Sequence, residues 1–223
     1  MMDETNFKFN SRVIAVPAGA IFLIWFIYYL EITFGFNLNK YGIYPKSFVG
    51  LRGILCSPFI HSDTSHLINN SVPLFVMLSA LYYFYGKIAN RVLIAGLLVT
   101  GLLTWLLGRP SYHIGASGIV YLLVSFIFFS GIIRKYYRLI ALSLVVVFLY
   151  GSMVWYIFPT QERISWEGHL AGFLVGLAFA FIFRKQGPQP EQFIFSENEE
   201  FEQLFDENGN FNPPIEEPID NNE

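Results

Sequence analysis

Six uncharged, apolar runs divide this chain of 223 residues: 13–30, 67–86, 92–108, 114–133, 139–160 and 168–183. A crossing of the hydrocarbon core takes roughly 20 residues, with a range of about 17 to 25. Five runs reach that length, and Ser165 and Trp166 extend the sixth at its outer end. Inside lipid every backbone N–H and C=O needs a partner within the protein, so runs of this kind become helices. The expected fold class is an all-α polytopic membrane protein with six transmembrane helices. Composition agrees, since only 14% of the residues are charged, against about a quarter in a soluble domain.

The remaining segments set boundaries and orientation. Residues 186–223 hold eleven of the seventeen acids and no Lys or Arg, which leaves 1–185 at +8 although the whole chain is −3. The expected organisation is a cytoplasmic N-terminus over 1–12, a helical core over 13–185, and a disordered, acidic cytoplasmic tail over 186–223. Lys8 and Arg12 precede the first run, but no small-residue cleavage site follows it, so it stays as a membrane helix and not a cleaved signal. With both termini inside, nine Lys and Arg face the cytoplasm and five face outward, the bias that membrane insertion favours. A single cysteine, Cys56, allows no internal disulfide and forms no metal cluster. Basic residues scattered between apolar runs give no nucleic-acid footprint.

That topology puts the chain's intramembrane polar residues at one level. The second, fourth and sixth runs start outside, and their first turns contain His66 and Asn70, then Ser117, then His169. At about 1.5 Å per residue these lie some 5–10 Å below the outer surface. Polar groups in lipid are costly and mark either a function or a buried partner. Taken singly, Ser117 reads as helix packing, Asn70 as interhelical glue and His169 as a satisfied interior histidine. Matched depth on three helices points instead to serine nucleophilic catalysis, with histidine as the base that activates the hydroxyl.

His169, Gly172 and Gly176 share one helical face, which lets the sixth run press against the Gly115-Ala116-Ser117-Gly118 cluster of the fourth. His66 and Asn70, at i and i+4, and the Ser117 N–H are candidate donors to an oxyanion. Tyr121 lies one turn below Ser117, either packing beneath the His169 ring or serving as a plain core aromatic. No carboxylate is placed to orient His169, because Glu167 falls on another face, so a Ser–His dyad is expected. His61 is expected to tie down its loop by hydrogen bonding, the alternative being a metal ligand without partners. No cofactor is called for.

These motifs resemble those of the rhomboid intramembrane serine proteases: HSDTSHLINN at 61–70, GASG at 115–118 and GHLAGFLVG at 168–176. The resemblance covers roughly 13–185 and implies a six-helix rhomboid-like bundle of the bacterial type, in the inner membrane. It implies cleavage of transmembrane protein substrates near the extracytoplasmic face, without metal. It also implies Ser117 as nucleophile, His169 as base, His66, Asn70 and the Ser117 amide as oxyanion hole, and Tyr121 stacked under the base. Arg52 matches the arginine of the family's Trp-Arg pair, with Leu51 where tryptophan would stand. A catalytically inactive relative that binds and escorts membrane clients remains the alternative. A transporter would need a polar path through both leaflets, and the inner halves of these runs are apolar, as in Leu122-Leu123-Val124.

Overall fold

The computed structural model describes residues 9–149, 155–159, 164–187 and 199–212, and among these the regular elements are all helical. We number the six long helices α1 (Arg12–Phe34), α2 (Thr64–Phe84), α3 (Ala89–Leu107), α4 (Ser117–Ile133), α5 (Tyr137–Leu149) and α6 (Trp166–Ile182). The first three are long and apolar enough to cross a membrane, and the last three are shorter apolar helices. Large apolar side chains face outward along them, such as Phe22, Ile94 and Phe148. In water that surface would aggregate, whereas lipid solvates it. This is a multi-pass integral membrane protein.

α4 lies at the centre. Ile119 to Ile127 are buried without interruption, then Ser130 and Gly131, the pattern of a helix apolar all round and packed on every side. α6 lies against it with almost no separation. A Cβ on Gly172 would sit 2.1 Å from the Gly118 carbonyl oxygen, and one on Gly176 would sit 2.3 Å from that of Leu122. Only hydrogen fits there, so backbone packs on backbone. α1 joins α2 through Trp25 Nε1–H donating to Ser71 Oγ (3.0 Å) and a 3.0 Å hydrogen bond between the Tyr28 and Thr64 hydroxyls.

The loop from 37 to 63 is folded on itself in short helical turns and grips the start of α4. Ile43 and His113 exchange both backbone hydrogen bonds (3.0 and 2.8 Å), and the Gly115 N–H donates to the Ser57 carbonyl (2.9 Å). Arg52 Nη2 donates to the Lys40 carbonyl (2.9 Å), with its guanidinium over the Tyr41 ring. These contacts keep 113–116 out of the helix. The fourth helix therefore starts at Ser117 itself, not at 114, and Ser117 is its first residue where a place one turn inside was expected. The fifth run is helical over Tyr137–Leu149; most of its remainder lies outside the described residues.

At the opposite end, buried Arg134 ties three helices together. Its guanidinium donates to the Phe183 carbonyl (2.6 Å), to the Gln186 carbonyl and to Ser130 Oγ, and Tyr85 O–H donates to Ser130 Oγ at 2.7 Å. The C-terminal carbonyls of α6 thus find cationic donors in place of water. Residues 199–212 form a separate unit. They were expected to lack structure, yet they form a helical turn at Glu199–Glu202 and a tight turn around Asp206. Asp206 Oδ1 accepts the N–H groups of Asn208 and Asn210, both at 2.9 Å. A short-range Asx turn of this sort forms without any hydrophobic core, which composition alone does not reveal.

Candidate active site

Ser117 and His169 come from different helices and meet because α4 and α6 touch at their glycines. His169 Nε2 is 2.8 Å from Ser117 Oγ, and His169 Nδ1 is 2.8 Å from the carbonyl oxygen of Tyr156. A carbonyl only accepts, so Nδ1 bears the hydrogen and Nε2 presents its lone pair to the serine O–H. The Tyr121 ring lies 4.3 Å beneath the His169 ring at 16°. Both rings are buried, so the imidazole is held on its face as well as at Nδ1.

The Tyr156 carbonyl was not anticipated. It belongs to a short helical turn, Trp155–Ile157, and backbone oxygens in irregular segments leave no mark in sequence. Glu167 does stand apart from the dyad. Its Oε1 accepts from the Arg109 N–H (3.2 Å) and lies 3.7 Å from Arg109 Nε. Beside it, His113 Nδ1 lies 2.6 Å from Ser165 Oγ. Burial is the main influence on His113 and lowers its pKa, opposed by the Arg109 carbonyl and the Glu167 charge.

On the other side of Ser117, Gly115 sits at φ +105°, in the region that favours glycine. A Cβ there would fall 2.7 Å from His66 Nε2 and 3.4 Å from Asn70 Nδ2. The two side chains therefore converge on the backbone just before Ser117, and the missing Cβ leaves the space open. Asn70 is buried and its Nδ2 has no hydrogen-bond partner among the described residues. A buried donor without an acceptor is costly, by about 1–3 kcal/mol. The Ser117 N–H, first in its helix, has no acceptor within the helix either. The Asn70 amide, the Ser117 N–H and the His66 ring thus surround one small volume.

Asp63 starts α2 by accepting the His66 N–H at Oδ1 (2.8 Å) and the Ser62 O–H at Oδ2 (2.7 Å). Its carboxyl is held below the usual range chiefly by the His66 N–H, then by the Ser62 hydroxyl. His61 differs from expectation. It is buried, it meets the His66 ring edge to face at 5.0 Å, and neither ring nitrogen finds a partner of good geometry among the described residues. Burial first, then the neighbouring His66, pushes its pKa down to about 4, against the Phe59 backbone and Asp63. It is thus a neutral ring packed against that of His66.

A cavity of about 40 Å³ adjoins Ser117 and Gly118. Thr100, Thr104, Ser57 and Ser165 supply polar walls, and Thr100 Oγ1 is buried without a partner among the described residues. That is room for roughly two or three waters, with polar groups to hold them. Gly118 closes against the backbone of Gly168, since a Cβ would lie 3.3 Å from the Gly168 carbonyl oxygen.

Fold and site together define a helical integral membrane protein with a histidine-paired serine opening one of its central helices. The sequence matches the Rhomboid domain over residues 50–186, and the chain belongs to the rhomboid family. It is 31% identical over 175 residues to an uncharacterized protein of Mycobacterium bovis, covering 72% of this chain and 70% of that protein. An uncharacterized protein of Mycobacterium leprae is 31% identical over 161 residues, covering 66% and 61% respectively.

If His66 and Asn70 hold a developing negative charge, His66→Ala and Asn70→Ala should each lower turnover by about 10- to 1000-fold. Initial rates on a transmembrane substrate, beside melting curves, check this. Unchanged rates in both would leave the pair as structural contacts.

Proposed function

We propose that this protein is an intramembrane serine endopeptidase that cleaves transmembrane helices of membrane proteins near the extracytoplasmic face. One observation supports this above the rest: the 2.8 Å contact between Ser117 Oγ and His169 Nε2, with the tautomer fixed by the Tyr156 carbonyl. A hydroxyl at its ordinary acidity is inert, and a correctly protonated imidazole in contact makes it a nucleophile. The chain crosses the membrane six times in this reading, with both termini and the acidic 186–223 tail in the cytoplasm of a bacterium. The shorter helices α4 and α6 complete the bundle.

In the reaction Ser117 Oγ bonds to the scissile carbonyl carbon and its proton passes to His169 Nε2. The carbonyl oxygen becomes an alkoxide facing the Ser117 N–H, Asn70 and His66. The alkoxide collapses, the C–N bond breaks, and His169 gives its proton to the departing amine. A water from the adjoining cavity then loses its proton to His169 and attacks the acyl ester. Collapse of the second intermediate returns the proton to Ser117. The Tyr156 carbonyl steadies the imidazolium as a dipole, more weakly than a carboxylate does in a triad. A substrate must offer its carbonyl in extended form, because a stable helix hides it in hydrogen bonds. Spans that carry Gly or Pro near the outer end are therefore the favoured substrates.

The test is cleavage of a purified generic transmembrane substrate in mild detergent, and of the same substrate in sealed vesicles. Wild type should cut it, Ser117→Ala should not, and the soluble fragment should leave on the extracytoplasmic side. A folded wild type that cuts nothing would leave an inactive, client-binding relative as the better reading.

A further inference from the structure

Ser62 Oγ is 2.7 Å from Asp63 Oδ2 and 3.2 Å from His66 Nδ1, and it has one hydrogen to give. An ionised Asp63 is acceptor-only, so the Ser62 hydrogen goes to Oδ2, as a short charge-assisted bond. The contact with His66 then requires the imidazole to be the donor, from Nδ1. A neutral ring so held has its lone pair at Nε2, the nitrogen that points at the space beside Gly115.

We propose that Ser62 and Asp63 are positioning residues that hold His66 in the Nδ1–H form, so that it donates to the oxyanion from Nε2 only as an imidazolium. This rests on the protease reading above. As the alkoxide forms, the Ser117 proton goes to His169 and a second proton comes from bulk water to His66 Nε2. On collapse the departing amine takes the His169 proton, His66 returns its proton to water, and no net charge is created. The groups that bear on this ring are few. The titratable groups that face it are Asp63 through Ser62, His169 across on α6, and neutral His61 packed against it. Asn70, Gly115 and Ser117 bring no charge. The low-lying Asp63 carboxyl stays ionised throughout the neutral range, which keeps the chain in one arrangement.

The sign of the pH effect follows. The donor form of His66 is the protonated one, so its contribution is present at low pH and is lost as pH rises through the ring's titration. His169 must be neutral to accept, which gives the opposite, acid limb.

The experiment uses the full-length protein with ¹⁵N-labelled histidine in bicelles, the His66 signals being assigned by their loss in His66→Gln. In wild type above its titration, Nδ1 should bear the hydrogen and Nε2 should be bare. Ser62→Ala frees the ring and should move the hydrogen to Nε2. In parallel, wild-type kcat should fall about tenfold per pH unit on the alkaline side. That limb should be absent in Ser62→Ala and restored in Ser62→Thr. A wild-type ring that is Nε2–H, or a Ser62→Ala protein with unchanged tautomer and limb, would overturn the proposal and leave Ser62 as a helix-start contact. If nothing is cleaved, the protease reading fails and the oxyanion role with it, while the tautomer is still read from the same spectra.

Discussion

Gly172→Val should lower the melting temperature of the detergent-solubilised protein by about 6–12 °C, or prevent its folding altogether. The first added carbon falls 2.1 Å from the Gly118 carbonyl oxygen and 3.1 Å from the Leu122 nitrogen. Neither is a side chain that can swing away, so α6 must move off α4. Overpacking at a flexible site costs about 1–3 kcal/mol, and a backbone obstacle lies at or beyond the top of that range. In a chain of this size each kcal/mol shifts the melting point by about 2–4 °C. Gly19→Val is the control, because nothing lies within 4 Å of a Cβ there. It should melt within about 0.5 kcal/mol of wild type, like an ordinary surface change. Equal melting of the two variants would show that α4 and α6 are not in backbone contact.

His169→Ala should reduce covalent labelling by a fluorophosphonate at least about a thousandfold, the scale seen when the base of a serine enzyme is removed. The label should map to Ser117 in wild type and vanish in Ser117→Ala. The effect is large because the serine keeps its proton once Nε2 is gone from 2.8 Å. The variant should stay folded, its melting point falling only by the packing cost of a few kcal/mol that loss of a partly hydrogen-bonded ring carries. Strong labelling in His169→Ala would mean that another group activates Ser117, and the dyad assignment would fall.

How much of this was legible beforehand depends on whether a feature is local. The apolar runs and the i, i+3, i+7 face of His169, Gly172 and Gly176 are local, and they carried the helices and the meeting of α4 with α6. Family membership was legible in the three motifs. The start of α4 was not, because Gly115 takes φ +105° in response to Ile43 and Ser57, far away in the chain. The shift from 114 to 117 follows from that. The Tyr156 carbonyl at His169 and the Ser62–Asp63 pair behind His66 were invisible for two reasons. One is a backbone atom of an irregular turn, and the other looks like an ordinary helix start. His61 is the converse case: a histidine near polar residues suggests hydrogen bonding, whereas its ring packs edge to face with that of His66.

The closeness of Gly172 and Gly176 to the α4 backbone also bears on how such chains drift apart over evolution. Those glycines answer to the architecture alone, whatever chemistry the bundle performs. On the protease reading Ser117 and His169 answer to chemistry instead, through a side-chain contact that holds no backbone apart. A descendant that abandoned catalysis would be free to change the serine while still being forced to retain the glycines. Ancestry is thus written at 172 and 176, and occupation at 117 and 169.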